Sequence, residues 1–481
     1  MNFAIVRYLI GWMLGIESIF LLLPALTAVI YGEAELPAYL IAAAISLAGA
    51  ALLCHRKPKN TRFYAREGYV TVALCWLVLA VIGALPFVLS REIPFFIDAL
   101  FETVSGFTTT GATILGHVEA LSHASMLWRC LTHWVGGMGV LVFMLIVLPL
   151  AGGQTIFLMR AESPGPAVSK MSPHMRDTAT ILYAIYFGLT VLQMILLLIG
   201  GMPFFDAICV SLGTAGTGGF GNWNDSIAHY NSAYLQNVIT VFMILFGINF
   251  SAYFLILTRK FRQAFRIEEI RVYLGVIFVF AGLIAFNVRP MFGSLRESFH
   301  HALFQVASII TTTGFSTVDF DQWPTFSRAL LVLLMFIGAC AGSTGGGIKC
   351  SRILLLGKSV KKEMMCLIHP RLVRVNKMDG QRVPHEVMRS INVFVVAYAF
   401  IFILSLLIIS LNCEDLVTCF TSVATTLNNV GPGLSLCGPT CNFDFFPPLS
   451  KCVLIFDMLA GRLELFPMLL LFTPGTWQRN K

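Results

Sequence analysis

The stretch Ser105-Gly106-Phe107-Thr108-Thr109-Thr110-Gly111-Ala112-Thr113 is a polar, glycine-containing tip in an otherwise apolar part of the chain. Three later tips, rich in Thr, Asn or Gly, lie at Ala215–Phe220, Thr311–Phe315 and Leu427–Pro432. Each tip belongs to a half-length apolar segment, and these segments lie near 93–113, 203–221, 298–317 and 414–433. A segment this short cannot cross a bilayer twice as a helix. The pattern therefore predicts four re-entrant loops that dip into the membrane and return.

The composition around these tips excludes a soluble protein. Of the 481 residues, 57% are hydrophobic and only 12% are charged, and the mean hydropathy is +0.79. A soluble domain carries roughly 25% charged residues. Uncharged runs of 22, 24 and 22 residues lie at 68–89, 178–201 and 390–411. Because about 20 apolar residues cross the hydrocarbon core and spanning backbone must satisfy its own hydrogen bonds, we expect an all-α membrane protein.

The net charge of +8 indicates membrane orientation rather than nucleic-acid binding. Lys and Arg residues concentrate in alternate polar segments, at 56–66, 160–176, 259–271 and 357–389. The intervening loops 31–36 and 200–232 contain no Lys or Arg. The positive-inside rule then places the basic loops and both termini in the cytoplasm. The basic loop 357–389 is in addition a candidate docking surface for an acidic partner.

Repetition along the chain predicts five parts and about ten membrane-embedded segments. Two simple spans, near 5–30 and 36–54, occupy residues 1–66. A unit of span, re-entrant segment and span then occurs four times, at 67–177, 178–269, 270–387 and 388–481. Repeats of this kind suggest pseudo-fourfold symmetry around one pore.

The four tips carry groups that suit a dehydrated cation. Backbone carbonyls replace the hydration shell of an ion when several strands surround an axis. Glycine permits the backbone angles that turn carbonyls inward, and Thr hydroxyls add ligands or brace the loop. A single tip of this composition is explained as well by helix packing through small residues. Four tips at equivalent positions favour an ion filter, whose candidate residues are Thr109, Thr110, Gly111, Thr217, Gly218, Gly219, Thr312, Thr313, Gly314, Asn429, Val430 and Gly431.

On these motifs the chain resembles the membrane subunit of the Trk/Ktr potassium transporter family, of the TrkH/TrkG type. The resemblance rests on Ser105–Thr113, Thr217–Phe220, Thr311–Ser316 and Leu427–Gly433, together with the two extra N-terminal spans. It implies a potassium filter in which the key glycines are Gly111, Gly219, Gly314 and Gly431. Gly111 stands where some sodium-permeable relatives carry Ser, which favours potassium. Gly218 stands where two other loops have Thr, so the ligands are expected to be unequal.

The resemblance also implies partners. We expect a homodimer in which each protomer holds its own pore, and a cytosolic nucleotide-binding (TrkA-like) regulatory subunit. The basic loop 357–389 and the C-terminus are the expected docking surfaces. No cofactor is expected in this chain, and K⁺ is the transported ion.

A glycine-rich run, Gly338–Lys349, interrupts the span that follows the third tip. Each Gly costs about 1 kcal/mol in a helix relative to Ala, so we expect a helix break at membrane depth. The resemblance implies an intramembrane gate at this place, and the alternative is a kink without a gating role. The run is not a nucleotide site, because Ile348 separates its last Gly from Lys349 and no strand precedes it. The candidate gate residues are Gly342, Ser343, Thr344, Gly345, Gly346, Gly347, Lys349 and Arg462.

Arg462 is placed in the last span, where a buried charge is costly and usually faces a cavity or a partner. The resemblance implies that this Arg faces the pore; pairing with another span is the alternative. Glu464, two residues on, is a poor partner within the helix. We interpret Arg129 and His133 as interfacial or packing residues without a role.

These features predict a multi-pass protein of the bacterial inner membrane that takes up potassium and is not an enzyme. The membrane potential would drive uptake, since it supplies about 2.3 kcal/mol per charge per 100 mV. The alternative is a cation-coupled secondary carrier, for which Asp457 and Glu464 are the acidic candidates. A membrane enzyme would need a cluster of His, Asp or Glu, and the His residues are dispersed. Cys437 and Cys441 form either a disulfide or two free thiols.

Overall fold

The computed structural model describes residues 1–58, 64–137, 175–371 and 375–478. Within these ranges the regular structure is helical except for a two-stranded antiparallel hairpin. The second span of the first predicted unit is described only as far as Gly137, and the basic residues Lys59, Arg62, Arg160, Lys170 and Arg374 lie outside the described residues.

The helices and strands follow one another along the whole described chain. In order they are α1 (Phe3–Tyr31), α2 (Leu36–Cys54), α3 (Ala65–Leu89), α4 (Phe96–Phe107), α5 (His123–Gly137), α6 (Met175–Ile199), α7 (Phe204–Gly216), α8 (Ala233–Phe246), α9 (Phe250–Leu257), α10 (Phe261–Arg266), α11 (Glu268–Val288), α12 (Leu295–Ile310), α13 (Thr325–Ile337), α14 (Cys350–Ile368), β1 (Lys377–Met378), β2 (Gln381–Arg382), α15 (His385–Ile409), α16 (Leu416–Leu427), α17 (Pro448–Arg462), α18 (Phe466–Leu471) and α19 (Pro474–Trp477).

Six helices among the described residues are long and apolar enough to span a membrane: α1, α2, α3, α6, α11 and α15. The two predicted N-terminal spans are confirmed as α1 and α2. The uncharged run 68–89 lies within α3, and the runs 178–201 and 390–411 extend two residues beyond the ends of α6 and α15. The membrane-facing side is visible on α15, where Val396, Phe400, Ile403 and Leu407 are exposed at helical spacing. Such an exposed apolar stripe is unfavourable in water and suits contact with lipid or with another apolar protein surface.

The first two helices are joined across their interface by hydroxyl groups. Ser18 donates a hydrogen bond to the carbonyl of Ala43 at 3.1 Å, and Ser46 donates one to the carbonyl of Leu14 at 2.8 Å. Small residues and hydroxyls are typical of helix contacts in membranes, where no hydrophobic force drives association. Gly32 ends α1 with a left-handed backbone (φ 68°), which lets the chain turn directly into α2.

A short helix occupies each of the four predicted half-length segments. These helices, α4, α7, α12 and α16, contain 12, 13, 16 and 12 residues. Two of them begin at side-chain caps, in which Ser294 accepts from the Glu297 amide and Asp415 accepts from the amides of Val417 and Thr418. All four end at or just before their tip.

The predicted helix break in the glycine-rich run is confirmed. Helix α13 ends at Ile337, and Gly338 follows with φ 70°, in the left-handed region that glycine tolerates. Helix α14 begins only at Cys350. Residues 338–349 are therefore non-helical between two helices; they are called here the gate loop, after the role that is expected for them from the sequence.

Three features differ from the predictions. The second span of the second unit is bent by 93° between α8 and α9, where the Asn249 side chain caps the new helix by accepting from the Ser251 amide. Arg462 is the last residue of α17 rather than an interior one, because Glu464 and Leu465 have positive φ and end the helix. The segment 357–389 is only partly a loop, since α14 continues to Ile368.

Candidate functional site

The four tips share one backbone conformation. In each tip the first and third positions are left-handed, with φ between 55° and 58° at the first and between 78° and 100° at the third. The first positions are Thr109, Thr217, Thr312 and Asn429, and the third positions are Gly111, Gly219, Gly314 and Gly431. A non-glycine residue with positive φ is uncommon, and four of them at matching positions show a backbone held by its surroundings.

The tips contact one another in a closed ring. A Cβ placed on the third-position glycine of any tip would collide with a main-chain carbonyl of the next tip. The contacts run from Gly111 to the Gly218 oxygen, from Gly219 to the Thr313 oxygen, from Gly314 to the Val430 oxygen and from Gly431 to the Thr110 oxygen. All twelve predicted filter residues are therefore brought together in one place. Glycine is required at the third position both by φ and by the lack of space for a side chain.

A cavity of about 140 Å³ opens onto this ring from one side. Its lining includes all four third-position glycines, together with polar groups such as Thr113, Asn224, Ser316 and Asn442. A polar cavity of this size holds several water molecules. The ring is therefore reached through a polar, hydrated cavity whose lining is largely uncharged. At the ring, main-chain carbonyls are available to a cation.

The short helices present their C-terminal ends to the same ring. Helices α4, α12 and α16 end one residue before the tip positions Thr108, Thr311 and Asn428, and α7 ends at Gly216. The C-terminal end of a helix carries a partial negative charge, which stabilises a cation nearby. Four such ends around one axis add a field of the sign that a cation requires.

Threonine hydroxyls brace the tips from behind. Thr108 and Thr110 share a hydrogen bond of 2.8 Å, and Thr311 and Thr313 share an equivalent one of 2.7 Å. The fourth tip has no such pair; its Asn429 amide donates instead to the Thr110 hydroxyl at 3.0 Å and to the Met458 carbonyl at 2.9 Å. The first and third tips are therefore built alike, and the fourth is tied to the first through Asn429.

Arg129, interpreted from the sequence as an interfacial or packing residue, is a buried residue with specific partners. Its side chain is almost fully buried and forms an ion pair with Glu102 of α4 at 2.5 Å. It also donates to the Gly221 carbonyl at 3.1 Å and lies 3.6 Å from the centre of the Phe220 ring. Glu102 in turn accepts from the Ile114 amide. The pair joins both ends of the first tip to the segment after the second.

His133, also interpreted from the sequence as an interfacial or packing residue, joins two elements of the site. It is fully buried, and its Nδ1 lies 2.7 Å from the Gly106 carbonyl, so Nδ1 carries the proton. Its Nε2 accepts from the Phe220 amide at 3.2 Å. One neutral imidazole thus connects α4 with the second tip. The one-turn spacing of Arg129 and His133 was the available signal, because two polar residues on one face of an apolar helix need partners.

The gate loop lies directly against the ring. The Gly346 amide donates to the Thr312 hydroxyl at 2.6 Å. A Cβ on Gly346 would lie 2.5 Å from the Asn428 oxygen, and one on Gly345 would lie 2.9 Å from the Thr311 oxygen. Glycines at these positions let the loop backbone approach the third and fourth tips more closely than any other residue could.

The ends of the gate loop are held by neighbouring backbone. The Cys340 amide donates to the Gly247 carbonyl at 3.1 Å, and the Phe250 amide donates to the Gly342 carbonyl at 3.0 Å. The gate loop is thus hydrogen-bonded to the backbone at the bend between α8 and α9. Lys349 has φ 74°, and its ammonium group donates to the Gly345 carbonyl within the loop itself.

Arg462 reaches both the ring and the gate loop. Its guanidinium donates to the Thr109 hydroxyl at 3.2 Å, to the Thr344 carbonyl at 2.8 Å and to the Gly136 carbonyl at 2.7 Å. The planar group with five donors suits this bridging position. Glu464 forms an ion pair with Arg352 of α14.

Two further sequence questions are answered by the structure. Cys437 and Cys441 are both free thiols, the first buried and the second exposed. Asp457 is fully buried on α17 and accepts a hydrogen bond from Ser405 at 2.7 Å. In the part of the chain that the structure describes, no cluster of three or more His, Cys, Asp or Glu residues could hold a metal ion.

The fold and the site define a multi-pass membrane protein in which four short helices end in one ring of backbone carbonyls. Sequence comparison agrees with this class: the profile of the TrkH family, described as a cation transport protein, matches residues 37–478. The chain therefore belongs to the TrkH family. Membership places it among transport proteins and not among enzymes.

Individual relatives match over the full length. The chain is 38% identical to the Trk system potassium uptake protein TrkH of Escherichia coli (strain K12), over 99% of this chain and 100% of that protein. It is 33% identical to the Trk system potassium uptake protein TrkG of the same strain, over 98% of each chain. The crystal structure of the potassium transporter TrkH from Vibrio parahaemolyticus has 33% identity and a TM-score of 0.89, and the match covers 99% of this chain and 100% of that one.

Proposed function

We propose that this chain takes up potassium across a bacterial inner membrane through the ring of four tips. The observation that carries the proposal is the closed sequence of contacts between each third-position glycine and a carbonyl of the next tip. A ring of this kind offers an ion several carbonyl oxygens at one level and can replace its hydration shell. The printed names of the full-length relatives, which are potassium uptake proteins, support the choice of ion.

In this proposal the filter consists of three consecutive residues from each tip. The carbonyls bind K⁺, and the third-position glycines keep the tips close enough to act on one ion. The residues are Thr109, Thr110, Gly111, Thr217, Gly218, Gly219, Thr312, Thr313, Gly314, Asn429, Val430 and Gly431. The membrane potential drives the ion inward, at about 2.3 kcal/mol per charge per 100 mV.

The gate loop is proposed to close the pathway below the filter. Its contacts with Thr312 and with the Asn428 oxygen support this role, since a loop in that position leaves an ion little room to pass. Arg462 is proposed to hold the loop and to repel cations from the closed pathway. The gate comprises Gly342, Ser343, Thr344, Gly345, Gly346 and Gly347 with Lys349 and Arg462.

The repeated architecture and the partners complete the proposal. Two N-terminal helices (1–66) precede four pseudo-repeats around one pore, at 67–177, 178–269, 270–387 and 388–481. The phrase "Trk system" in the relatives' names supports a second component, which we propose to be a cytosolic nucleotide-binding subunit. The chain is proposed to form a homodimer with both termini in the cytoplasm.

The test is growth of a bacterium stripped of its own potassium uptake systems, on limiting potassium, with the regulatory subunit supplied. Wild type should restore growth and rubidium uptake, and Gly314→Ser should lose both. Failure of wild type to restore growth, with the chain present in the membrane, would contradict the proposal.

A further inference from the structure

Glu269 lies in the first turn of α11 and is almost completely buried. One of its carboxylate oxygens accepts two backbone hydrogen bonds, from the Ala341 amide at 2.7 Å and from the Ser351 amide at 2.9 Å. Ala341 is near the start of the gate loop, and Ser351 lies just beyond its end. A single oxygen therefore draws together the two ends of the loop.

Both amides need such an acceptor. The Ser351 amide is in the first turn of α14, where helix geometry provides no partner, and the Ala341 amide is in non-helical backbone. A carboxylate at a helix N-terminus is favoured by the helix dipole, and bonds to a charged acceptor are stronger than neutral ones. Glu269 supplies the acceptor for both amides, in addition to the backbone hydrogen bond that the Cys350 amide donates to the Ala339 carbonyl at 3.0 Å.

Helix α11 is itself fixed at this point. Glu268, the preceding residue, forms an ion pair with Lys358 of α14, and its amide donates to the Asp379 side chain at 2.7 Å. The Lys358 ammonium also donates to the Lys377 carbonyl of β1 at 2.8 Å. The beginning of α11, the helix after the gate loop and the hairpin are thereby joined around the Glu269 carboxylate.

We propose that Glu269 is the positioning residue that keeps the gate loop closed beneath the filter. The inference deepens the proposed function, on which it rests, because it names the group that sets how easily the gate opens. The carboxylate binds neither the ion nor the filter. It acts by holding the loop ends at a fixed separation while Gly346 contacts Thr312.

The two cysteines that flank the loop provide a direct readout. Cys340 and Cys350 are both buried, with 0% and 1% of their surface exposed. Their rate of alkylation by N-ethylmaleimide, followed by peptide mass mapping of the purified full-length chain, measures how often the loop ends open. Buried Cys130, which is on α5 away from the loop, serves as the internal reference for global unfolding.

Three variants separate the acceptor oxygen from the charge. Glu269→Leu removes the acceptor and should raise alkylation of Cys340 and Cys350 by about tenfold or more, because two charge-assisted hydrogen bonds are lost. Glu269→Gln keeps an acceptor oxygen and should stay within about threefold of wild type. Glu363→Gln, on the exposed part of α14, is the matched control and should leave both rates unchanged. The Cys130 rate should not change in any variant.

Rubidium flux through proteoliposomes that contain the chain alone completes the test. Glu269→Leu should leak more than wild type, and Glu269→Gln should not. Unchanged alkylation of Cys340 and Cys350 in Glu269→Leu, with Cys130 protected, would overturn the inference. A different outcome is faster alkylation in Glu269→Leu with no rubidium flux in either wild type or variant. It would support the positioning role of Glu269 and would contradict the proposed transport function instead. If Glu269→Leu does not fold, Glu269→Ala at the same position with the same readouts replaces it.

Discussion

The Arg462 guanidinium and the Thr344 carbonyl oxygen lie 2.8 Å apart, which joins the end of α17 directly to the gate loop. The same side chain reaches the Thr109 hydroxyl of the first tip and the Gly136 carbonyl of α5. The Arg462 guanidinium therefore connects the first tip, the gate loop and α5. Movement of the gate loop away from the ring must break the Arg462–Thr344 contact.

Replacement of Arg462 by Gln is expected to increase cation flux. Gln has no charge and fewer N–H donors than the Arg guanidinium. Because a hydrogen bond from a charged group is worth about 1.5–3 kcal/mol, its loss should free the gate loop and raise the cation flux by about tenfold or more. Rubidium efflux from proteoliposomes measures it. Arg328→Gln is the control, because Arg328 pairs with Asp321 away from the gate. Flux at or below the wild-type level in Arg462→Gln would show that this contact does not hold the gate.

Serine at Gly111 or Gly314 is expected to abolish potassium uptake or to admit sodium. Both glycines have positive φ, and an added Cβ would collide with a carbonyl of the next tip. Displacing the ring should reduce rubidium uptake by about tenfold or more, since a strained φ alone costs about 1–3 kcal/mol. Gly116→Ser, in the lining of the same cavity but with only Asn442 within 4 Å, should behave as wild type. Normal, potassium-selective uptake by both filter variants would refute the ring assignment.

Lysine at Arg129 is expected to weaken selectivity while it keeps the charge. A Lys ammonium cannot reproduce the planar contacts with Glu102, Gly221 and the Phe220 ring, so the first two tips should lose their alignment. The ratio of potassium to sodium flux should fall by about tenfold, which corresponds to roughly 1.4 kcal/mol. Arg289→Lys, outside this network, is the control. A ratio equal to that of wild type would mean that the buried pair supports the fold only.

Alanine at Asp415 is expected to destabilise the protein in a pH-dependent manner. Hydrogen bonds, first from the Thr418 hydroxyl and then from Ser435, lower the pKa of the Asp415 carboxyl from its ordinary value of 3.8 to about 2. Because the folded-state pKa is depressed, the stabilisation is fully present above pH 4 and is lost as the pH falls toward 2. The loss of the helix cap should cost about 1 kcal/mol at pH 7.

The thermal midpoint of unfolding in detergent, measured between pH 3 and pH 7, checks this prediction. The difference between wild type and Asp415→Ala should be constant from pH 5 to pH 7 and should shrink below pH 4. Glu414→Ala, at the neighbouring exposed carboxylate, is the matched control. A difference that does not change with pH would assign the effect to lost packing instead of the charged cap.

The membrane fold and the equivalence of the four tips could be predicted because their determinants are local. An uncharged run of 22 residues forms a span whatever surrounds it, and a Thr–Thr–Thr–Gly tip is unusual in any helix. The break at Gly338 was predictable for the same reason. The bend between α8 and α9 was not, because it depends on Asn249 and on contacts with a loop about 90 residues away in the chain.

The supporting residues were missed because their partners are distant in sequence. Arg129 pairs with Glu102, 27 residues earlier, and contacts Phe220 and Gly221 some 90 residues later. Glu269 binds amides 72 and 82 residues away. A polar residue on an apolar helix signals that a partner exists, but only the packed structure identifies it.

The central claim is that the four tips form one potassium-selective filter. The most direct measurement is cation flux into proteoliposomes that contain the wild-type chain with its regulatory subunit, using rubidium and sodium in turn at the same membrane potential. The account predicts that rubidium enters faster than sodium by about tenfold or more, equivalent to roughly 1.4 kcal/mol of discrimination, and that Gly314→Ser removes the difference. Equal entry of rubidium and sodium in wild type, or a preference unaffected by Gly314→Ser, would contradict it.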